Sequence, residues 1–490
     1  MRIICLGNNT ENSNTLTQEY SLKHNVVYKG LVSDLDNIFD VDKIDNGCYQ
    51  TTIVDLSRNR INEVLNYFDK IVLLDQSIES YNHPNEFLET IRLLSNYNNV
   101  IYQNSNFKRI QYWEELVTAN KSFCIFPFIE YLTYSGYTSV CCRSNMPVAH
   151  KNCDFYSDPN YITIRNNLIN GIKIPNCDHC YELENNNIIS ARILETVEWT
   201  NRLGIDSISE LSDIKSPAYY EVRPSNKCNL QCRMCSPKFS HLIENEYNKI
   251  GLEEQVVDEY DDFDVIDFSN LEKLYVAGGE PLIQRELYSF MNKCINNNKT
   301  DFEFVINTNC TSISNKFKNI SAYFSNLQFI VSIDGFDQLN HYIRWETNWT
   351  KLVENIDYIF YNRIKLSFSV TVSIYNIASL DTLVRFLEER YPNSHIHLQL
   401  VYSKDNILSA YNHPDRNLVV TSLNNLKECL VYENPESHSL IENLLTTYNK
   451  SNYNRTLLDA FYKFNDKLDH SRKVKLKDYI PELEKFRNLT

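Results

Sequence analysis

Glycine is scarce in this chain, with 10 in 490 residues, so two adjacent glycines mark a place where the backbone comes close to something. The loop after the first apolar run, Gly7-Asn8-Asn9-Thr10, lacks the Gly-x-Gly-x-x-Gly spacing of a dinucleotide site. Basic residues are also in deficit. With 48 Lys and Arg against 63 Asp and Glu, the net charge is −15. That balance argues against a protein that coats nucleic acid, because phosphate binding depends on clustered cations; a nucleotide in a small basic pocket stays open. No apolar run is long enough to span a bilayer, so no membrane partner is expected. No secretory signal, internal repeat or low-complexity tract accompanies the 14 cysteines. They therefore point to a reducing cytoplasm rather than to a disulfide framework.

The cysteines that are present fall into groups. Cys228, Cys232 and Cys235 occur within eight residues as Cys-Asn-Leu-Gln-Cys-Arg-Met-Cys, directly after the apolar run Tyr219 to Val222. Three thiolates on one loop can hold three corners of an iron-sulfur cube and leave the fourth iron open. Zinc sites use a two-by-two spacing that this triple does not match, and unrelated buried thiols are the remaining alternative. Downstream, Leu271 to Val276 ends in Ala-Gly-Gly-Glu-Pro, which places Gly278, Gly279, Glu280 and Pro281 at a strand end. A carboxylate beside exposed backbone carbonyls suits an ammonium group.

Further apolar runs end in polar residues in the same way. Phe302 to Ile306 leads into Asn307, Thr308 and Asn309; Leu327 to Ile333 into Asp334 and Gly335; Leu366 to Val372 into Ser373 and Asn376; His395 to Val401 closes the series. Six strands alternating with helical stretches predict a parallel sheet.

The cysteine triple followed by Gly-Gly-Glu-Pro resembles the radical S-adenosylmethionine (SAM) superfamily. The resemblance implies a partial (β/α)6 barrel with its chemistry at the C-terminal strand ends. It implies a 4Fe-4S cluster on Cys228, Cys232 and Cys235, with SAM on the open iron. Reductive cleavage of SAM then yields methionine and a 5′-deoxyadenosyl radical that abstracts hydrogen from a substrate. By the same resemblance Gly278, Gly279, Glu280 and Pro281 contact the SAM amino group. Ser332 and Asp334 in Val-Ser-Ile-Asp-Gly contact its ribose, Arg344 in Tyr-Ile-Arg-Trp reaches its carboxylate, and Asn309 joins the SAM site. Ser332 satisfying its own backbone, and Arg344 in an ordinary surface pair, are the plainer readings. The chain departs from the family at Cys310, where a glycine is usual. An electron donor such as flavodoxin or ferredoxin is implied.

A second cysteine set precedes the barrel. Cys124 lies in Phe-Cys-Ile-Phe-Pro-Phe, Cys141 and Cys142 follow Gly136, Cys153 comes next, and Cys177-Asp-His-Cys180 ends the group. This resembles a SPASM or twitch cassette, displaced to the N-terminal side of the barrel; downstream of the barrel stands only Cys429. The resemblance implies an auxiliary 4Fe-4S cluster on Cys124, Cys141, Cys177 and Cys180, with Cys142 or Cys153 as substitutes and His179 as a bystander. Structural zinc is the rival reading.

The expected class is α/β in four parts: a doubly wound α/β domain over 1–105, a cysteine-rich auxiliary cassette over 106–215, the partial barrel over 216–404 and a helical region over 405–490. In the first part, Arg2 to Leu6, Asn25 to Tyr28, Thr51 to Leu56, Ile71 to Asp75 and Val100 to Tyr102 read as strands, with helices at Ile61 to Phe68 and Glu86 to Leu94. Asp55 and Asp75 end strands at its crevice edge. The helical tail, as in Leu440 to Tyr448 and Leu457 to Phe464, is free to cover the barrel mouth, bind substrate or form a dimer. The leading functional expectation is hydrogen abstraction from a peptide or protein side chain. The runner-up is a small carbohydrate-like or nucleotide-derived substrate, and the third is a non-catalytic iron-sulfur scaffold.

Overall fold

The computed structural model describes residues 3–6, 26–30, 70–73, 100–102, 105–134, 136–144, 146–185, 190–252, 263–401, 404–430, 435–450 and 452–487. Its contacts divide the chain into two compact units. One comprises residues 1–129, 140–149 and 153–215; the other comprises 130–139, 150–152 and 216–490.

The first unit opens with four short strands, β1 (Ile3–Leu6), β2 (Val26–Gly30), β3 (Lys70–Leu73) and β4 (Val100–Tyr102). They form a parallel sheet in the order β2-β1-β3-β4. The chain fills one side of β1 and then the other, as a doubly wound sheet does. The expected strand Thr51 to Leu56, the helices Ile61 to Phe68 and Glu86 to Leu94, the Gly7 to Thr10 loop, and Asp55 and Asp75 lie outside the described residues. Helix α1 (Ser105–Ala119) then packs against helix α3 (Ala191–Arg202), with α2 (Asp178–Asn185) between them in the chain. Trp113 is fully buried, stacks on Phe123 at 5.4 Å and donates its indole N–H to the Ile205 carbonyl. Burying a ring of that size contributes roughly 1.5–3 kcal/mol, and the hydrogen bond removes the desolvation cost of its one polar atom.

The second unit is built on an eight-stranded sheet. Six strands follow the predicted runs: β7 (Tyr219–Val222), β9 (Lys273–Val276), β10 (Glu303–Thr308), β11 (Leu327–Ser332), β13 (Lys365–Val372) and β14 (His395–Leu400). They pair in parallel in chain order. The connecting helices bury one stripe each. Helix α5 (Arg285–Asn296) buries Leu287, Phe290, Met291 and Cys294, and α6 (Leu380–Arg390) buries Leu380, Leu383, Val384 and Leu387. Both stripes follow the i, i+3, i+4, i+7 spacing of one helix face.

The sheet is wider than expected. Strand β5 (Glu130–Tyr134) pairs in parallel with β7, and β6 (Tyr137–Ser139) closes a hairpin on it. The hairpin turns at Gly136, φ +79°, and extends the barrel sheet from within the expected cysteine-rich segment. Its register with β7 is a contact between distant segments, which local alternation cannot reveal. At the opposite edge, helix α7 (Pro435–Lys450) covers β14: the Ser437 hydroxyl accepts the Leu398 N–H at 3.1 Å and donates to the Ile396 carbonyl at 3.4 Å. One side chain thus satisfies two backbone groups of this edge strand.

His413 is buried, its Nδ1 accepts the Asp415 N–H, and its Nε2 has no hydrogen-bond partner. Burial pushes its pKa down to about 4, against the opposing pull of Asp415. A depressed folded-state pKa means that stability is complete above the unfolded value near 6.5 and is lost as pH falls from there towards 4. Between pH 7 and pH 5 the wild type should lose about 2 kcal/mol more than His413→Asn, read from urea midpoints of this unit. Equal losses in the two proteins would show that His413 does not carry this dependence.

Candidate iron-sulfur and SAM site

The loop from Arg223 to Ser240 joins β7 to helix α4 (His241–Ile250) and carries the cysteine triple. Two short strands hold it: β8 (Gln231–Cys232) pairs antiparallel with β12 (Arg344–Trp345), setting Cys232 opposite Arg344. The Cys235 N–H turns back onto the Cys232 carbonyl, and the Cys228 N–H donates to His241 Nδ1 at 3.2 Å. Cys232 is buried; Cys228 and Cys235 are half-buried. Burial pushes the Cys228 thiol up to about 12, with Cys232 adding to the rise. Burial also raises Cys235, reinforced by both other cysteines, and raises Cys232 against the opposing Arg344 guanidinium. All three thiols thus resist ionisation where they are, and a cationic iron centre would offset that cost.

The glycine pair explains how β9 meets this loop. Gly278 and Gly279 take φ +80° and +53°. A Cβ on Gly278 would lie 2.9 Å from the Arg223 Cβ, and one on Gly279 would lie 2.2 Å from the Lys227 carbonyl oxygen. The next residue completes the contact, its Glu280 N–H donating to that same carbonyl at 2.7 Å. The nearest protein atoms to both glycines thus belong to the cysteine loop itself.

Glu280 is 1% exposed. One carboxylate oxygen accepts from the Leu282 N–H and the Thr308 hydroxyl, the other from the Asn309 N–H at 2.7 Å. Three donors of the fold thus hold the Glu280 carboxylate in place. Pro281 is buried and starts the short turn after it. Asn309 carries the link onward: its Nδ2 donates to Asn229 Oδ1 at 2.9 Å and lies 4.0 Å from Cys228 Sγ. Cys310, where a glycine was expected, holds φ +56° and is fully buried. The backbone thus keeps the left-handed turn that glycine favours, at a cost of roughly 1–2 kcal/mol for a residue with a Cβ.

Ser332 is half-buried and donates to Asn307 Oδ1 at 3.0 Å, while Asn307 Nδ2 donates to the Tyr275 hydroxyl, a ladder across β11, β10 and β9. Asp334 and Arg344, expected at separate parts of SAM, lie together. Asp334 is fully buried; its Oδ1 accepts the Thr371 N–H, and its Oδ2 is 2.6 Å from Arg344 Nε, an ion pair off hydrogen-bond alignment. Burial pushes the Asp334 carboxyl up while Arg344 holds it down. Arg344 Nη1 also lies 3.9 Å from Cys232 Sγ. Arg344 therefore serves the cysteine loop directly.

The second cysteine set lies in the other unit. Cys124, Cys141, Cys177 and Cys180 are buried, Cys142 is exposed, Cys153 half-buried and His179 exposed. Cys177 ends a short turn and Cys180 sits in the first turn of α2. Burial raises the Cys124 thiol well above its ordinary value, and the charges of Cys177 and Cys180 add to the rise. The buried Arg192 guanidinium opposes it and donates to the Phe123 and Val117 carbonyls and to Glu184. Among the described residues no three His, Cys, Asp or Glu side chains gather around one point as a single bound ion needs; a cube instead spreads its thiolates over separate corners.

Sequence reading missed Arg233, Glu246 and Arg472, which are buried around the triple. The one available signal was a charged residue, Arg233, inside a loop of thiols. The Gly279 contact yields a sharp test. Gly279→Ala should lower stability by about 3 kcal/mol, combining overpacking with left-handed strain, and should more than halve the iron retained after anaerobic reconstitution. Gly204→Ala, at φ +70° with nothing within 4 Å, should cost only the strain and leave iron retention at the triple unchanged. Thermal unfolding and iron assay that fail to separate the two variants would refute the close-approach reading.

Residues 222–387 match the family model described as the Radical SAM superfamily. GTP 3',8-cyclase of Campylobacter jejuni subsp. doylei is 30% identical over 91 residues, 19% of this chain and 27% of that protein. The Campylobacter lari GTP 3',8-cyclase is 25% identical over 116 residues, 24% of this chain and 33% of that protein. The chain thus spans about a quarter to a third of the length of these relatives. Among solved structures, Streptococcus suis SuiB bound to S-adenosylmethionine is similar at 14% identity and TM-score 0.31, over 62% of this chain and 68% of that one. Native anSMEcpe with bound AdoMet is similar at 13% identity and TM-score 0.34, over 43% and 60%. Residues 222–387, which contain the cysteine triple and the Gly-Gly-Glu-Pro segment, thus form a radical SAM domain.

Proposed function

We propose that this protein is a radical SAM enzyme that abstracts hydrogen from a peptide or protein side chain. The observation that carries the reading is the cysteine loop, locked by Lys227 to Gly279 and Glu280 and by Asn229 to Asn309. Cys228, Cys232 and Cys235 would hold a 4Fe-4S cluster, and the segment from Gly278 to Pro281, with Asn309 and Ser332, would lie about the SAM. When bound and reduced, the cluster supplies the electron for reductive cleavage of SAM. The chain's own part is to shape and shield. Glu280 fixes the ends of β9 and β10 against the loop, and Arg344 places a positive charge beside Cys232. Asp334 acts through Arg344.

Cys124, Cys141, Cys177 and Cys180 would hold the auxiliary cluster. Their burial beside an exposed Cys142 supports that choice of four, and the cassette resemblance supports the peptide substrate. A small nucleotide-derived substrate is the second reading, favoured by the short match to the GTP 3',8-cyclases.

Anaerobically reconstituted protein should carry about two 4Fe-4S clusters, and replacing Cys228, Cys232 and Cys235 by Ala should leave about one. That variant should form no 5′-deoxyadenosine, whereas the intact protein with dithionite should form it slowly without substrate. A single cluster with one tightly held zinc would sink the auxiliary-cluster proposal. No 5′-deoxyadenosine from a fully loaded protein would favour the scaffold. A rise in its rate with GTP, and none with short peptides encoded beside the gene, would turn the substrate proposal to the second reading.

A further inference from the structure

The residue between the second and third cysteines is tied to the far end of the chain. Arg233 is 1% exposed. Its Nε donates to the Tyr342 carbonyl at 2.8 Å, its Nη1 to Asn465 Oδ1 at 2.9 Å and its Nη2 to Asp469 Oδ1 at 2.7 Å. The guanidinium also lies 3.5 Å from the Tyr342 ring centroid. Asn465 and Asp469 are one turn apart on helix α8 (Arg455–Arg472), on a face that is buried. The hydroxyls of Tyr342 and Tyr375 close the network, at 2.9 Å from Asp469 Oδ1 and 3.0 Å from Asn465 Oδ1. The same helix ends in Arg472, which holds Glu246 of α4 through two donors at 3.0 and 2.6 Å and lies over the Trp345 ring. Helix α8 therefore grips the cysteine loop, the helix that follows it and the strand opposite Cys232.

The backbone of the loop follows this grip. The Arg233 N–H donates to the Ile343 carbonyl at 2.8 Å, so the Cys232–Arg233 peptide is fixed from both its main chain and its side chain. Met234 and Cys235 pack against apolar clusters to which α8 contributes Leu458, Phe461 and Leu468.

We infer that Asp469, with Asn465, is a positioning residue for the cysteine loop: by holding Arg233 it sets the spacing of the three thiolates and the approach of SAM to the open iron. This rests on reading the triple as the cluster site. A buried ion pair contributes little net stability against a well-packed apolar replacement, so a positional role is separable from a stabilising one. Potentials of iron-sulfur clusters respond to nearby charge and to hydrogen bonding at the sulfurs, which provides a readout that packing alone would not move.

The test uses the full-length protein, reconstituted anaerobically, with SAM titrated against the reduced cluster's electron paramagnetic resonance signal. Asp469→Asn should still load the cluster. It should need about tenfold more SAM for the half-maximal spectral change, and its midpoint potential should move in the positive direction because the Arg233 charge is left uncompensated. Asp469→Glu should recover most of the SAM response. The double variant R233M/D469L, which replaces the pair by apolar groups, should fold and also need about tenfold more SAM. A wild-type SAM response and potential in both Asp469→Asn and the double variant would overturn the inference. So would unfolding of both, since the pair would then be plain support for the core. If the wild type itself shows no SAM-responsive cluster, the reading of the triple fails, and not the tether.

Discussion

The contact on which the site depends is a backbone against a backbone: Gly279 lies so close to the Lys227 carbonyl that no side chain fits between them. The Glu280 N–H bonds to the same oxygen, so one carbonyl fixes the distance between the end of β9 and the start of the cysteine loop. Every other link in the site presumes that distance. Glu280 can gather Thr308 and Asn309 only because it sits at that junction, and Asn309 can reach Asn229 and Cys228 only because β10 is held there in turn. A short polar relay thereby runs from the strand ends to the thiols.

Around this junction the chain buries charge in pairs. Arg344 with Asp334, Arg472 with Glu246 and Arg233 with Asp469 all lie within the unit that carries the triple. An isolated charge at such depth costs several kcal/mol, and each pair offsets this by direct contact. Such pairs add little to net stability, and their geometry is unforgiving because each lost partner strands a charge in a medium of low dielectric. The consequence is a loop with few alternative conformations, suited to hold three thiols whose burial disfavours their ionisation.

The helical tail shows how far the fold departs from local reading. Its candidate roles were cover for the barrel mouth, substrate binding or dimerisation. Helix α8 packs its buried face, including Leu458, Phe461, Asn465 and Asp469, towards the cysteine loop, a contact none of those roles named. Two polar residues on a buried helical stripe look like defects in an amphipathic pattern until the partner, 232 and 236 residues away, is known. Strand β5 is a similar case: its residues have strand character, but pairing with β7 rather than closing a local hairpin alone is a choice among distant edges.

By itself the sequence determined the alternation of strands and helices, because burial on a parallel sheet demands continuous apolar runs and amphipathic stripes. It also determined the donor set, since thiol spacing along a loop is a covalent fact. The turn at Cys310 was legible as a departure from glycine, although its left-handed φ of +56° emerged only in the folded chain. Only the tertiary structure decided what Glu280, Asp334, Arg344 and Arg233 touch. A charged side chain's partner depends on which distant segment shares its low-dielectric surroundings, and that is a property of packing that no local pattern encodes.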